Sequence, residues 1–370
     1  MTGLYFWVRD LLSRRAVGWV AEALFLPLSV PAWGYGKVQA LRRWAYGRGL
    51  LRTEHPGVPV ISVGNIAAGG TGKTPCVETV CRLLLAAGVR PAVLSRGYLG
   101  SLQGAAGVVS DGSRVRLSPE SAGDEPVLLA RRLPGVPVVV GRDRRETARL
   151  AVQRFGVEVL VLDDGFQHLP LARDLDVVLL DARHPFGNGY CFPRGLLREG
   201  PGALAEADLV LLTRTRRADS QRTEAVTAAV RRYNPSVPVL TTAHAPLAVV
   251  DLATGEVGPL ESLRGLKVLA FAGIGTPEAF FRELGDLGAK VLQAVPFRDH
   301  HRYTPADVEQ VTRWAGLMNA QALVTTEKDG VRLLGHLPLP LPVLALRIEM
   351  LVLDRPEEFR RQVLAAAGRA

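Results

Sequence analysis

Residues 60–75 read VISVGNIAAGGTGKTP. A β-branched apolar run, Val60 to Val63, leads into a glycine cluster, then Lys73-Thr74 and a stretch of helical character. Strand, glycine loop, Lys-Thr and helix in that order are the layout of a phosphate-binding loop. Gly69, Gly70 and Gly72, with Thr71 between them, let the backbone turn tightly and aim N–H groups at phosphate oxygens. The helix start adds unpaired donors and the positive end of its dipole. Lys73 is placed to reach the β- and γ-phosphates, and the Thr74 hydroxyl to reach Mg²⁺. The strict spacing G-x-x-x-x-G-K-[ST] asks for glycine at position 67, where the chain has Ala67, so the loop is a G-G-x-G-K-T variant.

The remainder alternates strands and helices. Strands are expected at Pro91 to Ser95, Pro137 to Val140, Val157 to Leu162, Asp176 to Leu180 and Leu209 to Leu212. Helices are expected over 76–88, from Gly123 through Arg132, and over 142–155. Such alternation implies parallel β-α-β units with ligands at the carboxyl ends of the strands. Residues 238–258 differ, with two extended runs about a Thr-Gly turn, and read as a connector hairpin. From Lys267 the alternation restarts as a second, smaller α/β unit. The expected organisation is a helical N-terminal region (1–50), a phosphate-loop core (51–237), the connector (238–258) and a C-terminal α/β domain (259–370).

With 370 residues, 48% of them hydrophobic, the chain can build such cores, and global disorder is excluded. The formal net charge is +9, carried mostly by arginine, which favours anionic partners. No RNA-module signature or lysine-rich tail points to nucleic acid. Cysteines 76, 81 and 191 lack C-x-x-C spacing, which argues against a zinc site or disulfide framework and fits a reducing compartment. No cleavable signal peptide is evident. Residues 4–26 place Leu4, Val8, Leu11, Leu12, Ala16 and Trp19 on one helical side. The apolar run Ala23 to Gly36, broken by Pro27 and Pro31, is too short for an ordinary membrane span. Trp7, Trp19, Trp33 and Trp44, followed by Arg42, Arg43, Arg48 and Arg52, suit a helix lying in a membrane interface. Packing on the protein's own core is the alternative.

Several segments can carry chemistry. VLVLDDGFQH (159–168) resembles a Walker B strand whose end pushes out Asp163 and Asp164, one of them a Mg²⁺ ligand. Gln167 and His168 continue that loop toward a phosphate or sugar. Asp124 and Glu125 open a helix, where Asp124 is either an N-cap or a general base for phosphoryl transfer. Asp299-His300-His301 comes after a strand of the second unit and offers a histidine to such a carboxylate. Arg194 and Arg198, in FGNGYCFPRGLLREG, could neutralise a transferring phosphoryl group, with Glu199 beside them for the metal. TTEKD (325–329) ends another strand where ligand contacts are expected.

SVGNIAAGGTGKTP, LSRGY, GDEP, VGRDR, LDDGFQH, FGNG, PRGLLRE, LLTR, FAGIG, FRDHH and TTEKD stand in the order found in the tetraacyldisaccharide 4′-kinase (lipid A 4′-kinase) family, which this chain resembles from about residue 8 to 350. The resemblance implies a P-loop nucleoside triphosphate hydrolase-like fold. It has two α/β/α domains joined by a β-hairpin, and an N-terminal membrane-associating helix. It implies an ATP- and Mg²⁺-dependent kinase acting on the 4′-hydroxyl of a tetraacyldisaccharide 1-phosphate at the cytoplasmic face of the inner membrane. A regulatory ATPase switching a protein partner is the rival reading of the loop. Carried over by motif, Lys73 and Thr74 are phosphate-loop ligands, Asp124 the catalytic base and His300 its partner. Asp163, Asp164 and Glu199 fall on the metal side, Arg198 is the active-site arginine, and Gln167, His168 and Arg96 are substrate contacts. Where the family has Leu-Arg-Glu-Pro, this chain has Gly200, and His301 competes with His300 for the place beside Asp124.

Overall fold

Val60–Gly64 is buried throughout, and its place in the sheet decides where the phosphate loop opens. The computed structural model describes residues 25–98, 100–102, 106–215 and 220–369. In chain order the strands are β1 (Val60–Gly64), β2 (Pro91–Ser95), β3 (Gly107–Asp111), β4 (Pro137–Val140), β5 (Val159–Asp163), β6 (Leu175–Asp181), β7 (Leu209–Thr213), β8 (Val239–Asp251), β9 (Val257–Gly258), β10 (Lys267–Ala272), β11 (Lys290–Pro296), β12 (Ala322–Thr326) and β13 (Val343–Val352). The helices are α1 (Ser29–Gly47), α2 (Lys73–Ala86), the single turn α3 (Pro119–Ala122), α4 (Asp124–Arg132), α5 (Arg144–Phe155), α6 (Ser220–Arg231), α7 (Pro277–Asp286), α8 (Pro305–Leu317), α9 (Glu327–Leu333) and α10 (Pro356–Ala366).

Among the described residues one sheet runs β11-β10-β12-β13-β8-β7-β6-β1-β5-β2-β4-β3, with β9 paired on β8. From β8 to β4 neighbouring strands are parallel, as the alternation requires, and β3 closes that edge antiparallel to β4. Period-two burial makes the layers. Ile61 and Val63 face a core with Val77, Val80 and Leu84 of α2, Leu129 of α4 and Phe359 of α10. Val60, Leu160 and Leu162 face Ala148 and Ala151 of α5 on the other side. In the C-terminal part, α7 and α8 cover opposite faces of β10 and β12. Cys76 and Cys81 are free, buried residues of α2.

The span expected to be a connector hairpin is mostly one strand. Val239–Thr241 of β8 pair with β7 in parallel, and Thr242–Asp251 pair with β13 antiparallel. Only Val249 and Val250 pair back on β9. The apolar alternation of β8 hides this, because its partner lies about a hundred positions away.

The amphipathic helix expected over residues 4–26 lies outside the described residues apart from its last two. A short 3₁₀ turn, Leu26–Leu28, runs directly into α1. Pro31 sits in the first turn of α1, where its missing N–H breaks no hydrogen bond. Trp33 (68% exposed), Trp44 (50%), Leu26, Val30, Val38 and Leu41 stand open to solvent along this helix. Its inner face is tied down by Arg43, which donates to Glu199 (2.8 Å), Glu206 (2.5 Å) and the Phe166 carbonyl (3.2 Å) and lies 4.4 Å from the Phe166 ring centre. Among the described residues no helix is long and apolar enough to cross a membrane.

Candidate active site

The phosphate loop leaves the carboxyl end of β1 and enters α2 through Gly72, at φ +90°. A side chain there would be strained by the left-handed backbone, and its Cβ would overlap Nε2 of His244 and lie 2.6 Å from Cε1. His244 stands on β8, so the connecting strand touches the loop from behind. Burial, and after it the nearby Arg214 charge, pulls its imidazole down to about 4, and it is neutral at pH 7. Arg214 donates to the Gly70 carbonyl (2.7 Å) and to Asp181 (2.6 Å), anchoring the loop to the end of β6. In front, Asn65 donates to the Thr71 hydroxyl (2.9 Å), and the Ala68 N–H donates to the Leu196 carbonyl (2.7 Å). The loop is thus braced internally by Asn65 and from outside by His244, Arg214 and Leu196. Ala67 forms a bridge with Leu197, at the position that the strict spacing would give to glycine.

Beside the loop, β5 ends in Asp163 and Asp164. Asp163 is buried and accepts from the Ser95 hydroxyl at 3.0 Å. Burial, then the neighbouring Glu125 and Asp164 charges, raise its carboxyl to about 7. Asp164 takes the opposite course: Lys73 (3.6 Å) and Arg198 (2.6 Å) outweigh burial and hold its carboxyl below the ordinary value. Lys73, Asp164 and Arg198 are thereby gathered into one row. The Oδ1 atoms of both aspartates are buried without hydrogen-bond partners. Two orphaned carboxylate oxygens and the Thr74 hydroxyl in the first turn of α2 are hard donors suited to Mg²⁺, which binds few protein oxygens and completes its shell with phosphates and water. Among the described residues no three acidic or imidazole groups converge as a metal cage.

Glu199 pairs through Oε2 with Arg43 of α1 at 2.8 Å, and its buried Oε1 has no hydrogen-bond partner. Gln167 spends its amide N–H on the Asn65 carbonyl (2.9 Å) and leaves Oε1 free. His168 is driven down to about 4 by burial, then by Arg144, and its buried Nε2 has no partner. Arg96 is exposed just past β2. Arg194 donates to Ser29 (2.7 Å) and lies 3.5 Å from the Tyr190 ring centre, so it braces α1.

The opposite wall comes from α4 and the C-terminal part. Gly123, at φ +90°, takes the N-cap position of α4 with no side-chain cap, so Asp124 is the first helical residue and its carboxylate is not spent on capping. Lys328 of α9 reaches Glu125 at 2.9 Å, and Arg332 reaches Asp124 Oδ2 at 2.6 Å. Of the two candidate histidines, His300 faces Asp124, with Nδ1 3.6 Å from Oδ2. His301 pairs instead with Asp307 (3.0 Å) and stacks on Phe297. His300 has φ +58°, and its N–H donates to the Gly273 carbonyl after β10. Burial pushes the Asp124 carboxyl up, but His300 and Arg332 outweigh it and keep the pKa below the ordinary value. Glu125 behaves likewise, with Lys328 and then Lys73 overcoming burial. Lys73 thus acts on both walls.

Beyond the TTEKD motif, the sequence marks Lys328 and Arg332 by one signal, a basic pair at i, i+4 opposite an acidic helix start. Arg214 and His244 carry no signal except the LLTR motif.

The family model described as Tetraacyldisaccharide-1-P 4′-kinase matches residues 21–367. The tetraacyldisaccharide 4′-kinase of Anaeromyxobacter dehalogenans (strain 2CP-C) is 50% identical over 307 residues, 83% of this chain and 81% of that protein. That of Geobacter sulfurreducens is 46% identical over 349 residues, 94% and 95% of the two chains. The crystal structure of the "apo" form of LpxK from Aquifex aeolicus in complex with ATP superposes with a TM-score of 0.75 at 31% identity, covering 93% of this chain and 98% of that one.

Proposed function

This chain belongs to the tetraacyldisaccharide-1-P 4′-kinase family, and on that premise we propose how its residues transfer the γ-phosphoryl group of ATP to the 4′-hydroxyl of a tetraacyldisaccharide 1-phosphate. The observation that carries the residue assignment is that the charge of Lys73 in the phosphate loop acts on Glu125 at the start of α4, while His300 and Arg332 flank the adjacent Asp124.

Phosphoryl transfer is mostly positioning and charge stabilisation. The loop amides and Lys73 hold the β- and γ-phosphates, and their geometry is kept by Arg214, Asn65 and His244. Thr74 and the Asp163–Asp164 pair would hold Mg²⁺, which would supply charge neutralisation at the phosphate oxygens. Arg198, already carried to the site by Asp164, adds a guanidinium for the transferring group. Asp124 accepts the proton of the sugar hydroxyl, and its depressed pKa keeps it ionised at neutral pH for that purpose. His300 flanks the same carboxylate. Gln167, His168 and Arg96 are assigned to the disaccharide, and Gln167 Oε1 and His168 Nε2 have capacity left for it. Glu199 anchors α1 through Oε2, and its unpartnered Oε1 is left for the metal side.

The exposed tryptophans of α1, with Arg42 and Arg48 beside them, seat the enzyme on the cytoplasmic face of the inner membrane, where the acyl chains of its acceptor lie. The test is ATP-dependent ³²P transfer to a tetraacyldisaccharide 1-phosphate in detergent. Asp124→Ala is expected to lower kcat by roughly 10²–10⁴-fold with little change in KM for ATP. Turnover at the wild-type rate in that variant would refute the base assignment.

A further inference from the structure

The contact between Asp124 and His300 is long, and a third residue stands between them. Arg332 Nε meets Asp124 Oδ2 at 2.6 Å, while His300 Nδ1 is 3.6 Å from the same oxygen. The other arms of the guanidinium are fully employed. NH1 donates to the Gly273 carbonyl (3.1 Å) and to Asp329 Oδ1 (2.9 Å), and NH2 lies 3.4 Å from His300 Nδ1. Asp329 is itself fixed, with 0% exposure: it accepts from Gly273 N–H (3.1 Å), Tyr303 O–H (3.1 Å) and Thr326 O–H (2.7 Å). The Arg332 side chain is 4% exposed. A rigid, buried fork therefore reaches from α9 across to the first residue of α4, and it touches the loop of His300 as it passes.

We propose that Arg332 is a positioning residue of phosphoryl transfer: it holds Asp124 by Oδ2, leaving Oδ1 for the acceptor hydroxyl, and it sets where His300 stands. The inference rests on Asp124 being the proton acceptor. An aspartate held through one oxygen by a fixed arginine loses the freedom to swing toward solvent, and its anionic form is favoured by the adjacent charge. His300 alone, at 3.6 Å, is too far for a hydrogen bond of ordinary strength. The charged and titratable groups around Asp124 are His300 from the loop after β11, Arg332 and Lys328 from α9, Glu125 on α4 itself and Glu120 on α3.

Arg332→Met, Arg332→Lys and Asp329→Asn are compared with wild type by kcat, KM for ATP and the pH profile of kcat, after thermal denaturation establishes folding. Arg332→Met should lower kcat roughly 10- to 100-fold at nearly constant KM for ATP. It should also move the acidic limb of the profile upward by about one pH unit or more. Arg332→Lys, which keeps a charge but not the fork, should leave the acidic limb close to wild type with an intermediate kcat. If Arg332→Met does not fold, Asp329→Asn, which frees the fork while keeping Arg332, decides: a lowered kcat supports the proposal and an unchanged one overturns it. A folded Arg332→Met with wild-type kcat, or with a lowered kcat and an unmoved acidic limb, overturns it as well. In an Asp124→Ala background Arg332→Met should add nothing. An active Asp124→Ala sinks the base reading, whereas an inactive Asp124→Ala beside a fully active Arg332→Met sinks this inference alone.

Discussion

Gly72→Ala isolates the contact between the phosphate loop and the strand behind it. Two effects add. An L-residue in left-handed backbone costs about 1–2 kcal/mol, and Gly72 sits at φ +90°, ψ +25°. The new methyl would also overlap His244 Nε2 and lie 2.6 Å from Cε1. His244 is held in the β8–β13 ladder, opposite Met350, and lies close behind the loop, so it has little room to retreat. Overpacking of this kind costs about 1–3 kcal/mol. The expected loss is therefore about 2–5 kcal/mol, read as a shift in the urea unfolding midpoint. A loop displaced by about 1 Å should further lower kcat/KM for ATP by roughly 100-fold. The control is His244→Ala, which removes the obstacle and leaves the backbone strain. In that background Gly72→Ala should cost only about 1–2 kcal/mol, a coupling of about 1–3 kcal/mol in the double-mutant cycle. An equal loss in both backgrounds would refute the contact, leaving backbone strain as the whole effect.

Asp163→Asn should change how stability depends on pH. The native carboxyl, raised to about 7, keeps its proton where the unfolded chain, near 3.8, has lost it, so wild-type stability falls as pH rises from about 4 through 7. Asparagine abolishes that slope. Denaturation in chelator should show the variant gaining on wild type by roughly 1–4 kcal/mol at pH 8 and little at pH 4, while kinase activity is lost. Arg43→Met leaves Glu199, 4% exposed, as an unpaired buried charge; a loss of about 3–5 kcal/mol is expected, with Glu199→Met in the same chain restoring most of it. Replacing Trp33 and Trp44 by serine should weaken partition onto anionic vesicles while sparing transfer to acceptor in detergent micelles.

The parts of the site that are legible in the sequence are those built from neighbours in the chain. Strand, loop and helix around Lys73 come from one contiguous pattern, and Asp163 and Asp164 come from an apolar run with a polar end. Strands β1, β2 and β4 to β7 and helices α2, α4 and α5 are legible for the same reason. The two candidate histidines cannot be told apart from sequence, because their difference lies in a positive φ at His300 and in Phe297 and Asp307 claiming His301. Asp124 is as fit for a cap as for a base until Gly123 is seen to take the cap position. Arg332 is 208 positions from the aspartate it grips, and its i, i+4 spacing from Lys328 is the one local signal. The pairing of Glu199 with Arg43 is not legible, because Arg43 belongs to a region whose composition speaks for membrane contact rather than for ion pairing. β13 escapes a local reading because its pairing partner is the middle of β8.

The shared strand β8 bears on how the protein can be taken apart. Its first residues complete the phosphate-loop sheet, and the rest complete the C-terminal sheet through β13. A cut placed before β8 strips β7 of its neighbour, and a cut after β8 strips β13. Either fragment would present a long row of unsatisfied N–H and C=O groups flanked by apolar side chains, the setting in which strands recruit other chains. Split versions divided there should aggregate instead of complementing one another. Insertions belong at the exposed Thr254-Gly255 turn, where the hydrogen-bonded ribbon has already ended.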